Sequence, residues 1–322
     1  MARKVALLAK MLERTQGTRL PILLGQSEGM QRVFGIIRKV SASRCPVLMV
    51  GETGTGKKLV ASWIHGNGPW RNNPFIAVDC GSLDHDLIGI ELFSTGSRRT
   101  GRPSGILAAV NGGTLLLDEV VEIPLDLQRR LARAIQEKEY RLMGSSKHVL
   151  FDARIIATTS DDPVVTIREG RFRNDLYYRI SAISIYLPPL RERKEDLPLL
   201  ADHILRQITR AKGSGRKDHR KLSSDALALL LTHEWPGNVR ELENCLEGAV
   251  ALSSGPVIQI EDLSLMLGTR VSAHVRTLKE IEREAINTAL RNARGNKVAA
   301  ARLLGIGKTT LYRKVRQYEL GS

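Results

Sequence analysis

Lys57 closes the stretch Gly51-Glu52-Thr53-Gly54-Thr55-Gly56-Lys57, in which three glycines precede a single lysine. Glycines at this density let successive backbone N–H groups turn inward and close on phosphate oxygens. The lysine adds a full positive charge, and a helix starting there adds a partial one. The chemistry predicted is phosphate binding. Further along, Thr114-Leu115-Leu116-Leu117-Asp118-Glu119 is an apolar run ending in two carboxylates. Asp118 is a candidate ligand for Mg2+, directly or through water. Glu119 is a candidate base for the water that attacks a γ-phosphate. The two motifs in this order predict a nucleotide hydrolase using Mg2+. One position departs from the general phosphate loop. Lys58 stands where Ser or Thr would place a hydroxyl on the metal, so metal binding must lean on groups elsewhere.

These residues need elements that hold them. Pro46-Val47-Leu48-Met49-Val50 reads as a buried strand before the glycine loop, and Lys58 to Ile64 as a helix after it. From Leu24 to Leu190 short apolar strands alternate with helical stretches. Phe75–Val78, Arg154–Thr158 and Ile183–Leu187 are further strands, so the spacing predicts an α/β domain with a mainly parallel sheet. After Pro188-Pro189 the pattern turns helical, from Asp196 to about Leu252, interrupted by a basic loop at 212–217. That part reads as a lid packed on the α/β domain.

Residues 277–320 read as three helices. Leu278, Ile281, Ala285, Ala289 and Leu290 give the first an apolar stripe, and Asn296 is the expected N-cap of the second. Leu304-Gly305-Ile306-Gly307 is a tight turn into a basic third helix, Lys308 to Tyr318. Two short helices joined by a glycine turn form a helix-turn-helix pattern. Ala300, Leu303, Ile306 and Leu311 are its expected core. Lys308, Thr309, Thr310, Tyr312 and Arg313 are expected to face base edges and nearby phosphates of double-stranded DNA, with Lys314 and Arg316 on phosphates. The division expected is a leader at 1–21, an α/β ATP-binding domain at 22–190, a helical lid at 191–267, a linker at 268–276 and a DNA-binding domain at 277–322.

Charge supports the polyanion reading. The 322 residues carry a formal net charge of +15. From Arg270 to Ser322 there are 12 Lys and Arg against 4 Glu. A basic terminal module points to nucleic acid, though a solvated surface is the alternative meaning of charge alone. Cys45, Cys80 and Cys245 are few and far apart, which fits a reducing compartment and a cytoplasmic location. No run approaches the ~20 apolar residues of a membrane span. Lys10 and Glu13 cut short the apolar run near the start, so the leader reads as an amphipathic helix and not a signal peptide.

Together the motifs resemble the AAA+ transcription activators that work on sigma-54 polymerase, the NtrC-like enhancer-binding proteins. The resemblance runs from Ile22 to Leu320. It rests on Gly25-Gln26-Ser27, GETGTGK, GGTLLLDE, FRNDLYYRI, LPPLRERKEDLPLLA, WPGNVRELEN and the Fis-like ending GNKVAAARLLGIGKTTLYRKV. It implies a homo-oligomeric ring, usually a hexamer, with ATP between subunits. It also implies roles: Lys57 on the β/γ-phosphates, Asp118 and Glu119 as the metal and water-activating pair, and Thr159 with Ser160 at sensor I. Arg173 and Arg179 match the arginine fingers that reach into a neighbour's site, and Arg240 matches sensor II on the lid. Read without the motifs, each arginine is a surface or interface salt-bridge partner.

Three departures qualify the match. Where the family often has Glu, Lys58 reverses the charge. Asp79 stands where the family usually places Asn to hold the catalytic glutamate. An amide donates a hydrogen bond to Glu119 and an ionised Asp does not; two near carboxylates would repel or share a proton. These two substitutions predict slow or differently gated hydrolysis. After Glu91-Leu92-Phe93 the family carries the GAFTGA motif, whose aromatic tip touches sigma-54. Here residues 94–105 read STGSRRTGRPSG, with no aromatic and no Gly-Ala-Phe. A basic loop does not replace an apolar tip that inserts into a partner. The reading is a DNA-binding AAA+ regulator that binds ATP and contacts RNA polymerase, without remodelling sigma-54 polymerase in the usual way. The alternatives are an ordinary sigma-54 activator with a divergent loop, and a AAA+ remodeller of proteins whose basic tail docks on protein.

Overall fold

The structure, a computed structural model, describes residues 22–82, 85–93, 105–142, 148–211, 220–253, 255–267, 278–293 and 296–318. The leader, the 94–104 segment, the 212–217 loop and the 268–276 linker lie outside the described residues.

The chain falls into two compact units, 1–268 and 269–322. In the first, five parallel strands form one sheet: β1 (Val47–Val50), β2 (Phe75–Asp79), β3 (Thr114–Asp118), β4 (Arg154–Thr159) and β5 (Ile183–Tyr186), in the order β2-β3-β4-β1-β5. The strands are nearly continuous apolar runs because helices cover both faces. Successive β3 residues show it. Leu115 and Leu117 join a cluster with Leu127 and Leu131 of one helix (Leu125–Glu137) and Leu176 and Ile180 of another (Asn174–Ile180). Leu116 faces the other way, into a cluster with Val33 and Ile37 of α1 (Glu28–Ser41) and Val60 and Ile64 of α2 (Lys57–Gly66).

Crossovers between parallel strands bring all the strand ends that bear Val50, Asp79, Asp118 and Thr159 to one edge of the sheet. Ligands of open α/β sheets bind at that carboxyl edge. The lid follows. Its helices Leu197–Ala211, Ser224–Thr232, Asn238–Leu252 and Ile260–Leu267 enclose a core centred on the fully buried Trp235. Two small pairings have no counterpart in the sequence reading: an antiparallel pair, Glu139–Arg141 with His148–Leu150, and a parallel pair, Lys221–Leu222 with Val257–Ile258.

The second unit contains three helices, Leu278–Asn292, Lys297–Leu303 and Lys308–Gln317. Asn296 caps the middle one, its side chain accepting from the N–H groups of Val298 and Ala299. Gly305 takes the left-handed backbone that the turn requires (φ +65°). The buried core is Ile286, Ala289, Ala300, Ala301, Leu311 and Val315, with Ile306 packed against it. Leu303, expected in that core, is 64% exposed. Ala300 and Ala301 hold the inner face of the middle helix, and Leu303 lies beyond it.

Candidate functional site

The glycine loop runs from the end of β1 into α2. Gly54 and Gly56 adopt φ +82° and +103°, conformations that side chains disfavour. A Cβ on Gly54 would also collide with the Gly237 carbonyl oxygen of the lid, so glycine is needed there twice over. Lys57 opens α2 and is buried; its Nζ donates to the Gly51 carbonyl at 2.6 Å and pairs with Glu119 Oε1 at 3.1 Å.

The carboxylates gather at neighbouring strand ends. Asp79 of β2 lies in register with Asp118 of β3. Thr158 Oγ1 donates to Asp118 Oδ1 at 2.5 Å, while Lys58 Nζ lies 2.9 Å from Asp118 Oδ2 and 3.1 Å from Asp79 Oδ2. Lys58 therefore bridges the two aspartates. Burial works against its charge, yet the aspartates outweigh that and raise its pKa. Asp79 mirrors this: burial pushes its carboxyl up, but Lys58 and Ser82 hold it below the ordinary range. The expected repulsion or proton sharing between Asp79 and Glu119 is thus replaced by separate cationic partners.

Glu119 adopts a left-handed backbone (φ 54°, ψ 57°), rare for a residue with a side chain and common where function fixes geometry. Its N–H donates to Thr158 Oγ1, and its Oε2 accepts from Ser160 N at 2.7 Å and Ser160 Oγ at 2.8 Å. Both carboxylate oxygens are engaged. Of the pair named for sensor I, Ser160 reaches Glu119, while Thr159 sits elsewhere. It is buried and its hydroxyl exchanges hydrogen bonds with Asp161. Its neighbours on either side reach the carboxylates instead, because side chains alternate along a strand.

The same geometry tests the expected metal. Both Asp118 oxygens already have donors, and an ammonium has no lone pair to offer a cation. Among the described residues no group of three or more His, Cys, Asp or Glu is arranged to hold a metal ion. Mg2+ at a nucleotide takes one or two carboxylates together with phosphate and water oxygens, and here Asp118, the carboxylate expected in that role, is already paired with an ammonium.

The lid grips the loop through residues that the sequence reading did not single out. Arg191 makes a two-pronged ion pair with Glu52, at 2.9 and 2.6 Å. Asn238, itself left-handed (φ 54°), donates to Glu52 Oε2 and the Thr53 carbonyl and accepts from Leu190 N–H. Arg191, with Asn238, holds the Glu52 carboxyl below its usual range. Buried Arg193 donates to the Thr55 carbonyl at 3.0 Å. Asp196 accepts from Gln26 N–H, Ser27 N–H and the Ser27 hydroxyl, tying the start of α1 to the lid hinge. The signal was present in the runs RERKED and GNVR, but only their spacing from the loop in space gives it meaning. Arg240 is exposed and lines a cavity of about 360 Å³ with Thr53, Gly237, Glu241, Asn244 and Met266. That cavity borders the glycine loop.

Arg173 precedes the helix Asn174–Ile180. Its N–H donates to Gln128 and its guanidinium pairs with Asp175 at 2.8 Å. Arg179 occupies the last turn of that helix and is exposed. Among the described residues neither guanidinium is bonded to its own glycine loop.

In the second unit Lys308, Thr309, Tyr312, Arg313 and Arg316 are exposed on the third helix, and Thr310 is half-buried. Lys297 Nζ lies 5.5 Å from the centre of the Tyr312 ring. Lys314, expected on phosphate, is instead ion-paired with Glu282 of the first helix, which also accepts from the Tyr318 hydroxyl at 2.8 Å. That lysine braces the fold.

Comparison with known proteins defines the class. Residues 23–186 match the Sigma-54 interaction domain, 191–292 the AAA+ ATPase lid domain and 277–318 the Bacterial regulatory protein, Fis family. The chain belongs to the sigma-54 interaction domain family of AAA+ transcriptional regulators. It is 40% identical over 304 residues to the transcriptional regulatory protein ZraR of Salmonella typhimurium, covering 91% of this chain and 68% of that protein. A signal-transduction and transcriptional-control protein of Clostridium beijerinckii is 39% identical over 326 residues, covering 98% of this chain and 51% of that one. The chain thus spans about half to two thirds of the relatives' length. Among solved structures, NtrX from Brucella abortus in complex with ADP superposes with a TM-score of 0.71 at 30% identity, covering 98% of this chain and 72% of NtrX. RuvB of Thermotoga maritima, 14% identical with a TM-score of 0.52, shares the fold alone. Among the described residues no helix is long and apolar enough to cross a membrane.

Proposed function

We propose that this chain is an ATP-binding, DNA-binding transcription regulator that acts on RNA polymerase by a route other than the usual remodelling of sigma-54 polymerase. The observation that supports this is a glycine loop, strand-end carboxylates and lid residues gathered at one edge of the sheet, in a chain whose 94–105 sequence has no aromatic. Solved NtrX complexes hold ADP and ATP, which supports an adenine nucleotide here.

In this reading the phosphates lie against the loop N–H groups and the start of α2. They draw Lys57 from the Gly51 carbonyl and from Glu119. Glu119 Oε1 is then free to polarise water for attack on the γ-phosphorus, while Ser160 keeps the other oxygen in position. Arg173 and Arg179 enter a neighbouring copy's site in a homo-oligomer and stabilise the transferring phosphoryl group. Arg240 reports the nucleotide from the lid. Residues 22–190 and 191–267 form this engine, and 277–322 grip duplex DNA through Lys308, Thr309, Thr310, Tyr312, Arg313 and Arg316.

The match of residues 23–186 favours a second reading, an ordinary sigma-54 activator with a divergent loop. Transcription in vitro from a sigma-54 promoter separates the two. The proposal expects no ATP-dependent open complexes above the polymerase-only level, measured by permanganate footprinting. Open complexes at the level of a motif-bearing relative would contradict it.

A further inference from the structure

The two substitutions that looked independent in the sequence meet in space. Lys58 Nζ sits between Asp118 Oδ2 at 2.9 Å and Asp79 Oδ2 at 3.1 Å. Asp118 keeps no oxygen free, since Thr158 donates to the other one. Glu119 is likewise held on both sides, by Lys57 and Ser160. The carboxyl edge of the sheet thus carries two ammonium groups against three carboxylates, all mutually paired. A divalent cation at Asp118 would have to displace Lys58 or sit against its like charge. An aspartate at position 79 without Lys58 would lie in register with Asp118 and repel it. Each substitution makes sense only with the other.

We propose that the Lys58 ammonium, anchored by Asp79, takes the bridging position at Asp118 that a divalent cation would otherwise fill, so that this site binds adenine nucleotide without a metal ion. The inference rests on the reading of this loop as a nucleotide site and names how that site is charge-balanced. Lys58 lies one residue beyond the lysine that faces the phosphates, at the start of the same helix, so its charge is delivered to the phosphate side of the sheet edge. Asp79 is here a positioning residue: it holds the ammonium and does not touch the nucleotide.

The test is the affinity of the full chain for a fluorescent ADP analogue, measured by polarisation in excess Mg2+ and in excess EDTA. The parent is expected to bind with affinities within about tenfold of each other in the two buffers. The double variant Lys58→Ser, Asp79→Asn removes both charges together and restores a hydroxyl. It is expected to bind at least about tenfold more tightly with Mg2+ than without. Circular dichroism checks that the double variant folds, and Lys58→Met with Asp79→Asn replaces it if it does not. Parent binding that gains more than tenfold from Mg2+ overturns the inference while leaving the nucleotide site intact. So does a folded double variant that stays indifferent to Mg2+. Absence of parent binding in both buffers removes the nucleotide reading itself, and the inference with it.

Discussion

Glu119 is a weaker base while Lys57 pairs with one of its oxygens and Ser160 donates to the other. The residue is poised and restrained, and the restraint includes the group that phosphate is expected to attract. Capture of phosphate by Lys57 would therefore couple nucleotide arrival to release of the base, without needing an amide at position 79. The arginines complete the chemistry only from another copy, in this reading. Arg173 is paired with Asp175, which raises the guanidinium pKa. The Arg173→Ala variant should retain nucleotide affinity within about threefold and lose about 10²–10³ of its turnover, read as phosphate release. Unchanged turnover would remove Arg173 from the finger role.

At the scale of elements, the glycine loop is held by the lid as well as by its own strand and helix. Asn238 alone satisfies a Leu190 N–H, the Thr53 carbonyl and part of the Glu52 carboxylate, from a left-handed position that asparagine tolerates better than alanine. Asn238→Ala should lower stability to urea by about 2–4 kcal/mol, through unpaired buried groups and backbone strain. A loss below about 0.5 kcal/mol would show that the clamp contributes little. Here the limits of sequence reading are physical. The strands were legible because buried parallel strands are apolar runs, and the glycine loop because its backbone demands are severe. Which hydroxyl meets Asp118 or Glu119 was not, since a shift of one residue along a strand end reverses the side chain, and Thr158, Thr159 and Ser160 differ only in that. The three-residue strands Glu139–Arg141 and His148–Leu150 are too short to show a period. Lys314 looked like its basic neighbours, and only the packing of the first helix against the third brings Glu282 to it.

Across the whole molecule, two units are built around separate cores. The basic excess is concentrated where the exposed face of the third helix is also basic, which suits an electrostatic grip on DNA whose strength falls with salt. In the other unit several charges pair at the loop, the strand ends and the lid. The pairing of Lys58 with Asp79 belongs to this scale too, because two substitutions distant in sequence keep one site balanced. Everything proposed for the molecule depends on that site taking up adenine nucleotide. The most direct test is equilibrium titration of the full chain with a fluorescent ATP analogue, beside Lys57→Ala. The account predicts saturable binding to the parent, competed by ATP, and an affinity about ten- to a hundredfold weaker in Lys57→Ala, as expected for loss of a charge-assisted contact. A parent chain with no saturable binding, or a Lys57→Ala chain that binds as well as the parent, would contradict it.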